Sequence, residues 1–169
     1  MCAINGCNQP VVGKSKYCGE HRVIARQKFK EMVAAKAVER DQRNDSFADL
    51  FRRAHLAGIE AGQKALPTPM VVIERANPLD DASEIVRQYE PIVDGVCGFA
   101  WITIYPGNCP AANYAKKHAG ASAVYGGGVR IWVHEFGQSY ERKMAFAGAY
   151  ARVLKAGGVA RAYSGGRLD

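Results

Sequence analysis

The sequence predicts a mixed fold, α+β or α/β, in which a small N-terminal segment and a helical stretch precede a compact β-α-β-α-β layer domain. Three observations carry this reading. Residues 1–21 crowd turn formers around cysteines and hold too few apolar residues for a core. Residues 22–66 place apolar residues at helical spacing in an Ala-, Lys-, Arg- and Glu-rich background. Residues 93–169 then switch repeatedly between period two and period 3.6. Residues 67–92 read as a linker. At 169 residues the chain has room for one core and a small appendage.

Taken in order, the segment from Arg22 to about Asn44 is a helix with a thin apolar stripe (Val23, Phe29, Met32 or Val33, Val38). Ser46 and Asp49 resemble a capping box, and Phe47, Leu50, Phe51, Ala54, Ala57, Ala61 and Ala65 follow at helical spacing, so a second helix is expected over 46–65. Pro67 and Pro69 end it. The apolar run Met70 to Ile73 predicts one short strand and the rest of the linker one helical turn, with turn signals at Asn77-Pro78 and Asp80-Asp81. Strands are expected at about 96–105, 129–134 and 159–163, with helices at about 110–118 and 139–156. Gly157-Gly158 supplies a stop for the second of these helices.

Composition narrows the functional classes. No apolar run reaches the roughly 18 residues of a spanning helix, and a polar, cysteine-bearing N-terminus stands where a signal peptide would be apolar, so a cytoplasmic, non-membrane protein is expected. The net charge is +7, and it is concentrated at the two ends. Residues 1–45 carry nine Lys/Arg against five Asp/Glu, and residues 93–169 nine against four. That balance suits a polyanionic partner such as nucleic acid, through counterion release, or merely a soluble basic surface.

Five cysteines in a reducing compartment argue against a disulfide framework. Cys2 and Cys7 have four residues between them, Cys18 and His21 two, and a turn-rich loop joins the pairs. Two short-spaced pairs of sulfur and nitrogen donors are what a tetrahedral, structural zinc requires, with Gly6 and Gly19 easing the turns. Such a metal would staple a segment that lacks a core. The alternative is that Cys2 lies in a loose terminus and His21 only caps a helix. Cys97 and Cys109 remain free in either case.

The run CAINGCNQPVVGKSKYCGEHR resembles the short CCCH fingers of phage and bacterial proteins, including those at the ends of HNH-type homing endonucleases. The resemblance implies metal at Cys2, Cys7, Cys18 and His21 and makes nucleic-acid contact an expectation. No His-Asn-His unit follows, so it does not imply a nuclease. The remainder, from FADLFRRAHLAGIEAGQKALPTPMVV to the terminal YSGGRLD, is similar to a family of small phage and metagenomic proteins. That similarity implies a viral origin, hence the host cytoplasm, and no functional residues.

Period-two alternation divides the expected strands into two faces. Ala100, Ile102, Ile104, Val129, Ile131, Val133, Ala160 and Ala162 form an aliphatic set. Opposite lie Phe99, Trp101, Thr103, Tyr105, Arg130, Trp132, His134, Arg161 and Tyr163. Rings interleaved with cations would serve base stacking and phosphate contact if the face is open, or become ordinary core if a helix covers it. The leading expectation is a nucleic-acid-binding accessory protein. Arg22, Arg26, Lys28 and Lys30 would meet phosphates, and Trp101, Arg130, Trp132, Arg161 and Tyr163 would form the sheet surface. A second reading is a protein-binding module that uses helix 46–65 and the aromatic face. A third is a small enzyme centred on Cys109, Gly126-Gly127-Gly128 and His134, with His55, His118 and Glu135 as further acid-base candidates.

Overall fold

The computed structural model describes residues 1–169 and divides into two compact units, Met1–Ser46 and Phe47–Asp169. It contains three helices and two antiparallel sheets, and no helix is long and apolar enough to cross a membrane.

In the first unit, Ala3 N–H donates to Lys16 O and Val12 N–H to Tyr17 O, which folds residues 2–17 back on themselves. Helix α1 then begins and runs without interruption as Gly19–Lys64. This corrects the expectation of two helices. The junction Arg43-Asn44-Asp45-Ser46 contains neither glycine nor proline, so nothing in it breaks the hydrogen-bond ladder. Ser46 is therefore an interior residue rather than a cap, and Asp49 pairs along the helix with Arg52 and Arg53 at 2.6 and 2.8 Å.

The second unit contains the last turns of α1 and all the strands. What reads in sequence as a linker with one strand and one helical turn is an antiparallel hairpin, β1 (Ile73–Arg75) with β2 (Ile85–Gln88), extended by a Met70–Ile92 bridge; a second strand stands in place of the helical turn. The main sheet has the order β4-β5-β3-β6, formed by β3 (Gly98–Ile104), β4 (Ser122–Val124), β5 (Gly128–Trp132) and β6 (Ala162–Leu168). Strand β4 was not foreseen. It is three residues long, and Gly126 and Gly127, at φ +90° and +80°, turn it back onto β5.

Helix α2 (Pro110–His118) has proline in its first turn, Cys109 as N-cap and three basic residues in its last turn, each favourable at its own end of the dipole. Helix α3 (Tyr140–Ala156) ends in a two-bond Schellman cap. Val159 N–H donates to Leu154 O and Gly158 N–H to Lys155 O, with Gly158 at φ +92°. Val159 is thereby committed to the cap and turned into the core, so β6 starts at Ala162 and not near Val159. Ala160, expected on the aliphatic face, is exposed in the intervening turn.

One sheet face is built from Ala100, Ile102, Ile104, Val129, Ile131, Val133 and Ala162, all buried. Against it pack Leu50, Phe51 and Ala54 of α1, Ala111, Ala112 and Ala115 of α2, and Phe146, Ala147, Tyr150, Ala151 and Leu154 of α3. Alanines let the helices approach closely, and each large buried aliphatic contributes about 1.5–3 kcal/mol. All three helices of this unit lie on that single face.

Candidate metal centre and aromatic-basic sheet face

Cys2, Cys7, Cys18 and His21 converge in the first unit, with their ligand atoms all within 4.8 Å of one another. A turn from Ile4 to Cys7, with Gly6 at φ +82°, brings Cys7 back toward Cys2. Cys18 immediately precedes α1 and accepts its Arg22 N–H bond through its carbonyl, while His21 lies three residues on, so both point from the first turn. His21 Nδ1 is 3.3 Å from the Sγ of both Cys2 and Cys18, and the Sγ atoms of Cys7 and Cys18 are 3.9 Å apart. Bonds of the lengths zinc makes would set S···S at about 3.8 Å and S···N at about 3.6 Å in a tetrahedron. The donor set therefore fits a four-coordinate ion with every position filled by protein.

The thiols are electrostatically unequal. Hydrogen bonds from the backbone amides of Cys18 and Ile4 lower the Cys2 pKa to about 6, with smaller help from His21 and Cys7 against the effect of burial. Cys7 is pulled down by the Gln9 amide, but burial and the neighbouring Cys18 and Cys2 sulfurs outweigh it and hold this thiol above its ordinary value. Three sulfurs this close can all be held as thiolates only with a cation among them.

Of the four basic residues expected along the following helix, Arg22, Arg26 and Lys30 share one groove with Tyr17 and Phe29, at spacings of four residues. Lys28 lies off that stripe. None of the four forms an ion pair.

In the second unit the sheet face opposite the core is uncovered. Antiparallel register arranges its side chains in rows across β5, β3 and β6. Arg130, Thr103 and Tyr163 form one row, and Trp132, Trp101 and Gly165 the next. Beyond it, at the end of the sheet, Phe99 pairs with Arg167, and His134, two residues past the end of β5, lines one pocket with both. On the other side, Tyr105 and Arg161 are joined by the Tyr105 N–H bond to Arg161 O. Trp132 is 37% and Tyr163 47% exposed. The Trp101 and Trp132 rings meet edge to face at 5.3 Å, and the Arg130 guanidinium lies 4.3 Å from the Trp101 ring centre and 5.4 Å from that of Trp132. Gly165 makes this possible, since a Cβ there would stand 2.6 Å from the Trp101 indole nitrogen.

Arg161 lies 5.6 Å from the Tyr105 ring and Arg167 5.3 Å from Phe99. No carboxylate pairs with Arg130, Arg161 or Arg167, and Arg130 Nε is buried without a hydrogen-bond partner. Trp101, Arg130, Trp132, Arg161 and Tyr163 are thus brought onto one surface. Arg167 was missed in sequence because Ser164-Gly165-Gly166 reads as a strand end. Continuing the odd-numbered alternation 161, 163, 165 would have found it.

The acid-base candidates divide differently. His55, His118, His134 and Glu135 do line one cleft of about 360 Å³, with His55 Nδ1 3.7 Å from Glu135. Burial, reinforced by Glu135 and Tyr114, pushes the Tyr150 hydroxyl well above the usual tyrosine range. No serine, threonine, cysteine or lysine lines this cleft. Cys109 is spent as the cap of α2, its Sγ accepting from Ala112 N–H at 3.4 Å, and the triple glycine is the β4–β5 turn.

Comparisons with protein-family models, with curated proteins and with solved structures gave no match. The fold and the site define a mixed α/β protein with a candidate Cys3His metal centre.

Proposed function

We propose that this chain is a zinc-containing nucleic-acid-binding protein whose open sheet face stacks unpaired bases. The observation that carries the reading is Arg130, a guanidinium set against Trp101 and Trp132 with a buried, unpartnered Nε and no carboxylate within reach. A cation so placed is left to find its anion outside the chain, and the rings beside it offer faces to bases of any sequence. Zinc is the reading for Cys2, Cys7, Cys18 and His21 because three thiolates and an imidazole in a closed tetrahedron suit that ion above the oxygen-seeking ones. The Arg22, Arg26 and Lys30 stripe adds phosphate contacts that carry no sequence information. The protein-binding alternative is weakened, since Leu50, Phe51 and Ala54 of its expected interface are core.

Fluorescence anisotropy of zinc-replete protein with labelled single- and double-stranded DNA and RNA across a salt series tests this. Binding should favour single strands and fall with salt. Trp132→Ala should weaken it by about 5- to 150-fold, the value of one base stack. No binding at low salt, or an unchanged affinity in Trp132→Ala, overturns the reading.

A further inference from the structure

Lys143 has an unusual position for a lysine. It belongs to α3 and keeps only 6% of its surface exposed. Its Nζ makes one hydrogen bond, to Gly98 O at 3.4 Å, and lies 5.6 Å from the Phe99 ring centre. No carboxylate pairs with it. A buried ammonium needs three acceptors or a counter-anion, and the chain supplies one long hydrogen bond. The side chain lines a pocket of about 310 Å³ together with Phe99, Trp132, Val133, His134 and Arg167. A lysine, an arginine, an imidazole and two aromatic rings therefore surround a concavity without a single acidic group. Lys143 is at its buried side and Arg167, exposed, at its rim.

The place of the pocket in the sheet matters as much as its charge. The pair Phe99 and Arg167, with His134 beside it, is the last on the open face: β5 ends at Trp132, β3 begins at Gly98 and β6 ends at Leu168. A strand stacked on Trp101 and Trp132 would reach this pair as it leaves the sheet. A phosphodiester brings one negative charge, whereas a phosphomonoester brings about 1.5 to 2 and more free oxygens, a better match to Lys143 and Arg167 together.

We propose that this pocket binds the phosphomonoester of a nucleotide, at a strand end or free, with Lys143 and Arg167 holding the phosphate and Phe99 and Trp132 flanking the nucleoside. The proposal rests on the sheet-face reading given above. It is tested on the full-length, zinc-replete protein with one single-stranded oligonucleotide carrying hydroxyl ends, a 5′-phosphate or a 3′-phosphate. A nucleoside monophosphate is titrated separately, followed by tryptophan fluorescence. One phosphorylated form should bind about tenfold or more tightly than the hydroxyl form. In Lys143→Met and in Arg167→Gln the ratio of the two affinities should fall toward one. Arg167 is exposed, so its variant keeps the test valid should Lys143→Met fail to fold. Equal affinity for all three ends, with the sheet still binding, overturns the pocket and leaves the stacking surface standing, as does a ratio that survives Arg167→Gln. If no oligonucleotide binds, the sheet-face reading fails. Monophosphate quenching that is lost in Arg167→Gln then upholds the pocket for free nucleotides, and the absence of quenching overturns it.

Discussion

Cys18→Ser should loosen the fold-back of residues 2–17 in the first unit while the second unit stays folded. Among residues 1–46 only Cys2 and Cys18 are buried, so the segment before α1 has no core apart from its own ligands. On the zinc reading proposed above, the stabilisation comes from the metal, and structural zinc supplies about 10–16 kcal/mol in small fingers. Divided over four ligands, the loss of one thiolate costs about 2.5–4 kcal/mol, or roughly 70- to 900-fold in zinc affinity. The second unit holds its own cluster of buried aliphatics and contains none of the ligands, so it should not respond. Zinc release measured with a colorimetric chelator, together with amide NMR, reads both effects. The wild type should release one zinc per chain. The variant should lose the dispersed amides of Ala3 and Val12, which are fixed only by the fold-back around the site, and retain those of β3 and β5. Dispersed Ala3 and Val12 signals in metal-free Cys18→Ser would refute the argument, and so would loss of the β3 and β5 signals.

Gly158→Val should lower stability by about 1–3 kcal/mol in urea denaturation, purely through the backbone, because φ is +92° and a Cβ there meets nothing within 4 Å. Gly158→Asn should lose less. Ile102→Ala, at a fully buried position in the middle of β3, should cost about 2–5 kcal/mol and broaden no other feature of the unfolding curve. The raised Tyr150 hydroxyl makes stability fall with alkali: the folded state keeps its proton where the unfolded chain loses it, so this contribution is intact below the ordinary tyrosine pKa of about 10 and declines above it. Urea midpoints taken between pH 8 and 11 should therefore decline less steeply in Tyr150→Phe than in wild type, and identical slopes would disprove the assignment.

The periodic elements were legible because their signals are local. Helix α2 is bounded by Cys109-Pro110 at one end and a basic turn at the other, and these determine its span without help from the rest of the chain. The Cys and His spacing likewise singled out four candidate ligands, and the fold brings their donor atoms within 4.8 Å of one another. Errors fell where neighbouring signals compete. Ser46 and Asp49 carry a cap signature inside a stretch that is helical on both sides, and continuity of the ladder prevailed. In β6, Gly165 and Gly166 look like a strand end, yet Gly165 serves a strand whose partner carries Trp101 opposite.

Residue type at short spacing thus settled the alternation of two faces in β3 and β5 and the helices that follow them, and it picked out the candidate metal-ligand cluster that the fold brings together. Tertiary structure alone decided that all the helices of the second unit lie on one face, leaving the aromatic-basic face open, because which side a helix returns to depends on packing across the whole layer. It also decided the company of Lys143 and Arg167, separated in sequence and joined only where the sheet ends. Distances between side chains on different elements follow from register and packing, and no local pattern encodes them.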